Sequence, residues 1–152
     1  MKLNKCIEKI CCFYASDWHL TVMLLPYINK NINEKNKIYM KFEHSIEDKM
    51  KILLGKLKIK NEKSIRNIDW NEKIGEEEIC ENTKVYIISG SEEYIKEKNE
   101  LIEHYYCNRD DRVKIINCYS VSEEKNLNNI IKNNNYKNIL NTKGECRIKN
   151  NS

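Results

Sequence analysis

The hydrophobic period of the chain switches repeatedly between short apolar runs and helical spacing. Residues 7–15 (IEKICCFYA) form an apolar run of strand length. DWHLTVMLLPYINKNI (17–32) follows at once, with Leu20, Met23, Leu24, Tyr27 and Ile28 on one helical face. Pro26 removes a backbone donor inside that helix and is expected to kink it or end its first segment. KIYMKFEH (37–44) reads as a second strand. SIEDKMKILLGKL (45–57) reads as a helix with Ser45 as N-cap and Asp48 completing a capping-box-like start. KSIRNIDW (63–70) reads as a weaker strand, and 71–83 as an acidic connection with room for a helical turn.

The second half repeats the alternation more cleanly. TKVYIISG (83–90) is a strand, and SEEYIKEKNELIEHYYC (91–107) a helix whose acidic first turn suits the helix dipole. RVKIINCYS (112–120) is a strand, 122–134 a helix opened by Ser122, and YKNILNTKG (136–144) a short closing strand. Strands alternating with helices of this length imply βαβ units. The expected fold is therefore α/β: a three-layer α/β/α architecture on a mainly parallel, Rossmann-like sheet of about five strands. One domain should span 1–145, with 146–152 a frayed tail.

Composition narrows the class. At 152 residues the chain suffices for one ordinary core. The net charge of +4 comes from 27 basic and 23 acidic residues spread along the whole length. Lys outnumbers Arg 23 to 4 and Asn reaches 22, which reads as A/T-rich coding more than selection for a polyanion partner. Nucleic acid is accordingly not the expected partner; a Lys-lined single face would be its signature. Seven cysteines without framework spacing, no signal-like N-terminus and no stretch of membrane-spanning length point to reduced thiols in a cytoplasmic protein with no membrane partner. Cys11, Cys12 and Cys118 lie inside apolar runs and should serve as small core residues, a redox-sensing thiol pair being the rarer use.

The turn YASDWHL, between the first strand and its helix, sits where open α/β sheets bind phosphate. It has neither Gly nor Lys, and it places Asp17 where an anion would arrive, so the carboxylate should cap the helix and repel phosphate. The four glycines (55, 75, 90, 144) form no GxGxxG either. ISGSEEY (88–94) has one Gly and capping serines, with Glu92 and Glu93 arguing against an anion. His104 and Cys107, three apart on a helix, would share a face toward a metal but lack a second pair; His19 and His44 each follow a strand end. No metal or cofactor is expected. Cys107, Cys118 and Ser91 lack a partnered base, and no catalytic residue is assigned. Tyr14, Trp18, Trp70, Tyr86, Tyr119 and Tyr136 fall near element ends, where they either pack the sheet's rim or line a pocket at the strands' carboxyl ends.

Several of these pieces resemble the MEDS sensory domain, named for methanogen and methylotroph regulators related to the dichloromethane-responsive repressor. The order I-C-x-x-Y strand, polar turn, helix with a Pro-aromatic step, then strand is followed by ICCFYASDWHLTVMLLPYI and its continuation, with Tyr14, Pro26 and Tyr27 at the telling places. IINCYSVSEEKNLNNIIKNNNYKNILNTKG is similar to the family's closing segment. Ser120 stands where the family carries Asp, Asn135-Tyr136 where it carries His-Pro, and Lys9 or a neighbour where a His opens the first strand. The resemblance implies a RecA/KaiC-like fold with its nucleotide motifs lost. It also implies a non-catalytic sensory or regulatory role in signal transduction or transcriptional control. A small molecule would bind at Tyr14, Asp17, Trp18, His19, Glu43, His44, Ser89, Ser91 and Tyr119. With no output domain in view, signalling would run through a protein partner or a homo-oligomer. The alternatives are a small Rossmann-like transferase or hydrolase, which should converge a base, a nucleophile and an anion-stabilising group in that crevice, and a nucleic-acid-associated regulator.

Overall fold

The first apolar run folds as β1 (Ile7–Tyr14), with Ile10, Cys11 and Cys12 wholly buried, in a computed structural model that describes residues 6–74, 82–121 and 127–149. A strand buried on both faces belongs inside a parallel sheet covered by helices on each side. Five further strands complete that sheet: β2 (Lys37–Phe42), β3 (Lys84–Ser89), β4 (Val113–Ser120), β5 (Asn138–Asn141) and β6 (Gly144–Arg147). Their order is β2-β3-β4-β1-β5-β6, parallel throughout except for the β5–β6 hairpin.

Alternation along the strands divides the core in two. Ile10, Cys12, Val85, Ile87, Ile116 and Cys118 face α1 (Asp17–Asn33), α2 (Glu47–Lys56) and α3 (Glu62–Arg66). Cys11, Tyr39, Tyr86, Ile88 and Ile115 face α4 (Glu92–Tyr106) and α5 (Leu127–Asn133). Each fully buried aliphatic side chain contributes about 1.5–3 kcal/mol. On the α4 side Tyr39 stacks on Tyr86 at 4.6 Å, and the Tyr86 and Tyr106 hydroxyls lie 2.6 Å apart. Tyr86 is therefore an interior residue, not a rim one. Cys11 and Cys12 point into opposite cores, which removes the vicinal pair as a joint redox device. Burial pushes the Cys11 thiol up to about 12.

Local expectations fail where tertiary contacts outweigh pattern. α1 continues through Pro26, because Pro26 and Val22 both lie on the exposed face and the carbonyl deprived of its donor is on the solvent side. Ser16, not Asp17, caps α1: its extended backbone lets Oγ accept from His19 N–H at 3.1 Å, leaving Asp17 as the first helical residue. α2 begins two residues after Ser45 without a side-chain N-cap bond, although Ser45 Oγ accepts from Glu47 N–H at 3.1 Å. The segment 63–70 is not a strand; α3 replaces it. Only Ile65 of α3 is buried, a Glu62–Arg66 pair spans one turn at 3.1 Å, and Asn61 donates to the Asn29 and Asn33 side chains of α1 at 2.9 and 2.7 Å. The first residues of the tail expected to fray, 146 and 147, instead belong to β6, which turns back at Gly144 with φ of +99°. Ser122 and residues 75–81 of the acidic connection lie outside the described residues.

The connection leaving β1 runs past β4 and β3 to β2, whereas the one leaving β4 passes β1 to reach β5. The carboxyl ends of β1 and β4 therefore form the topological switch point, where sheets of this class open a crevice.

Candidate functional site

At the switch point the crevice is bridged by the chain itself. Val121 N–H donates to the Tyr14 carbonyl at 2.8 Å, extending the β1–β4 ladder past its last pair, Tyr14 and Ser120. The Tyr14 hydroxyl reaches Ser89 Oγ at 3.1 Å, spanning from β1 to β3 across the end of β4. Burial raises the Tyr14 phenol above its ordinary range, so it serves as a neutral hydrogen-bonding group.

The helix starts beside this bridge are also occupied. Ser91 caps α4, its Oγ accepting from Tyr94 N–H at 3.1 Å. Glu43, arriving from the end of β2, places Oε1 2.9 Å from Ser91 N–H, while its own N–H donates to the Ser89 carbonyl at 2.9 Å. Gly90 makes this approach feasible: a Cβ there would lie 2.8 Å from Glu43 Cβ and 2.7 Å from Tyr94 Cδ1. A protein carboxylate thus takes the position an anion would seek at the start of α4. At α1, His19 Nδ1 accepts from Ala15 N–H at 2.9 Å, which assigns the ring proton of the neutral imidazole to Nε2. Asp17 lies 3.8 Å from the Lys49 ammonium, which sits 6.0 Å from the centre of the half-exposed Trp18 ring.

The expected residues therefore divide. Tyr14 joins Ser89, Glu43 joins Ser91, and Asp17 and Trp18 share Lys49, all at the carboxyl edge of the sheet. His44 is exposed at the same edge. Tyr119 departs from the group: its odd position in β4 turns it to the α4 face, where its hydroxyl lies 2.6 Å from that of Tyr136. No group of three metal-ligating side chains is present among the described residues. No helix among them is long and apolar enough to cross a membrane.

Tyr119 leads to a polar cluster that the sequence reading missed. Asn117, in the middle of β4, and Asn99, on α4, exchange reciprocal amide hydrogen bonds of 2.8 and 3.1 Å. Asn117 Nδ2 also donates to the Tyr136 hydroxyl at 2.8 Å, and Asn99 Nδ2 to the Ile95 carbonyl at 2.7 Å. All four side-chain owners are at least nine-tenths buried. Tyr136 arrives because Asn135 adopts the left-handed conformation (φ 56°) after α5, and Tyr136 N–H then donates to the Ile131 carbonyl at 3.0 Å. This cluster floors a cleft of about 330 Å³ on the α4 side of the sheet, with Lys9, Glu92, Lys96, Glu100 and Glu103 among its lining residues. Two signals in the sequence mark it: an Asn inside the apolar run IINCY, and an Asn on the buried stripe Ile95–Asn99–Ile102–Tyr106.

Comparison with protein-family models, with curated proteins and with solved structures finds no match to this chain.

Proposed function

We propose that the chain is a non-catalytic sensory or regulatory module, MEDS-like in kind, that acts by binding a small molecule or a protein partner. The observation that carries this reading is the Glu43 carboxylate on Ser91 N–H. A phosphate-handling enzyme leaves such backbone donors open to its substrate, whereas here the chain's own acid fills the place. The Ser16 cap and the Tyr14–Ser89 bridge support the same reading, since they join further polar groups of that edge to one another. Among the described residues, the crevice brings together no base, nucleophile and set of open anion-stabilising donors of the kind an enzyme would use there.

The test is twofold. Purified protein should turn over no ATP above buffer, and native mass spectrometry of protein isolated from its own host should show a retained small molecule or protein partner. ATP hydrolysis that disappears on substitution of Asp17 or His19 would overturn the reading.

A further inference from the structure

The Asn99–Asn117–Tyr136–Tyr119 cluster has more donors than it uses. Each Asn amide has two hydrogens. Those of Asn99 go to Asn117 Oδ1 and the Ile95 carbonyl; those of Asn117 go to Asn99 Oδ1 and the Tyr136 hydroxyl. The two phenols face each other at 2.6 Å, and a single hydrogen occupies that bond whichever ring supplies it. The second phenolic hydrogen has no acceptor in the cluster. Burial raises both phenols above their ordinary range, so neither sheds this proton near neutrality. Both rings line the cleft, with 4% and 6% of their surface exposed, and an unmet buried donor is costly unless something in the cleft accepts from it.

The walls supply the second half of the recognition. Lys9 is held by Glu103. Glu92, Lys96 and Glu100, on the cleft-facing side of α4, form no ion pair with one another, which leaves two carboxylates against one ammonium among the described lining residues. Such a rim repels anions and accepts neutral or cationic groups. A volume of about 330 Å³ lies at the small end of the range for small-molecule sites.

We propose that this cleft is a binding site for a small neutral or singly cationic molecule whose buried end is a carbonyl or hydroxyl oxygen accepting from the Tyr119–Tyr136 pair. The proposal rests on the binding-module reading and gives it a ligand class at a place distinct from the closed strand-end crevice. A planar amide fits best, because its oxygen meets the phenolic hydrogen and its flat face lies along the aromatic floor. Carboxylates and phosphates are disfavoured by the surplus carboxylate of the described rim.

Benzamide, benzamidine and benzoate serve as probes of equal shape and different charge, followed by the side-chain amide signals of Asn99 and Asn117 in nuclear magnetic resonance spectra. Benzamide should shift both signals saturably and benzoate should not. Benzamidine, cationic but lacking an acceptor oxygen, should bind more weakly than benzamide. Tyr119→Phe leaves the Tyr136 hydrogen available and should hold benzamide affinity within about twofold; the double change to Phe at 119 and 136 should weaken it at least about fivefold, the loss of one ordinary hydrogen bond. Should the double variant fail to fold, intermolecular Overhauser contacts in the unaltered protein decide the matter. Contacts from the benzamide ring to Tyr119 and Tyr136 support the site, and their absence overturns it. Benzoate binding as tightly as benzamide, or a folded double variant that binds benzamide undiminished, would also overturn it. ATP turnover that disappears on substitution of Asp17 or His19 would refute the module reading whatever benzamide does, whereas failure of benzamide alone removes only the cleft.

Discussion

Replacing Asn117 by Leu should be far more damaging than its modest change in size implies. The substitution keeps the volume of the site but removes both partners of the Asn99 amide on the β4 side. Asn99 Nδ2 retains the Ile95 carbonyl, while its second hydrogen and its Oδ1 are left without protein partners. Each orphaned buried group costs about 1–3 kcal/mol. Asn99 borders the cleft and is 6% exposed, so water reaching one of the two groups trims the total to about 2–4 kcal/mol. Asn99→Leu should cost a similar amount for the mirror-image reason. The double change to Leu at both positions removes the orphan together with its cause, leaves the Tyr119–Tyr136 bond standing, and should cost about 2 kcal/mol less than the sum of the singles.

Urea unfolding followed by circular dichroism measures this cycle. With a denaturant slope of about 2 kcal/mol/M for a chain of this size, each single variant should lower the midpoint by about 1–2 M, and the double variant should fall well short of the additive shift. Strictly additive losses would refute the reciprocal amide pair. Single losses under about 0.5 kcal/mol would show the amides to be freely hydrated and not parts of a buried network.

Gly90→Ala should destabilise by about 1–3 kcal/mol in the same assay, because the new Cβ meets Glu43 Cβ and Tyr94 Cδ1 below 3 Å; an unchanged midpoint would refute the close approach. Glu43→Ala should cost about 1–2 kcal/mol by baring Ser91 N–H, and sulfate compared with chloride at equal ionic strength should recover more stability in that variant than in the unaltered protein. In native protein a thiol reagent should label Cys6 readily and reach Cys11, Cys12 and Cys118 only at the rate of unfolding. The Cys11 thiol is raised from 9.0 to about 12 on folding, so its share of stability is full below about pH 9 and is lost from there to about pH 12 as the unfolded chain ionises first. Cys11→Ala should flatten that alkaline limb, and an identical limb in both proteins would contradict the assignment.

The architecture was legible because it depends on burial periodicity. A run such as IEKICCFYA has strand length between turn signals, and β1 takes that form with Ile10, Cys11 and Cys12 covered on both faces. KSIRNIDW misled because its two isoleucines, three apart, suit a short helix, and what anchors that helix is the remote contact of Asn61 with Asn29 and Asn33. Such contacts leave no local trace. The Ser16 cap misled for a different reason: Ser and Asp are both strong caps, and adjacent candidates are separated only by the backbone angles the turn adopts.

The site follows the same division between local pattern and long-range geometry. Chemistry at the β1–α1 turn argues against a standard phosphate loop from the turn alone, since the absence of Gly and Lys there is a local property. What closes the neighbouring helix start is Glu43, 48 residues from Ser91, and only the pairing of β2 with β3 brings it there. Position along β4 points Tyr119 to the strand-end crevice, but parity matters more than position in a strand: Tyr14 and Ser89 share one face, while Tyr119 shares the other with Asn117. An Asn on a buried strand and another on a buried helical stripe are each expensive alone, so their joint presence required that they meet, with the phenols satisfying the remaining amide hydrogen. Among the described residues the polar groups Tyr14 and Ser89, and Glu43 and Ser91, thus pair with one another at the carboxyl edge, while the Tyr119–Tyr136 pair lies on the flank of the sheet beside the cleft.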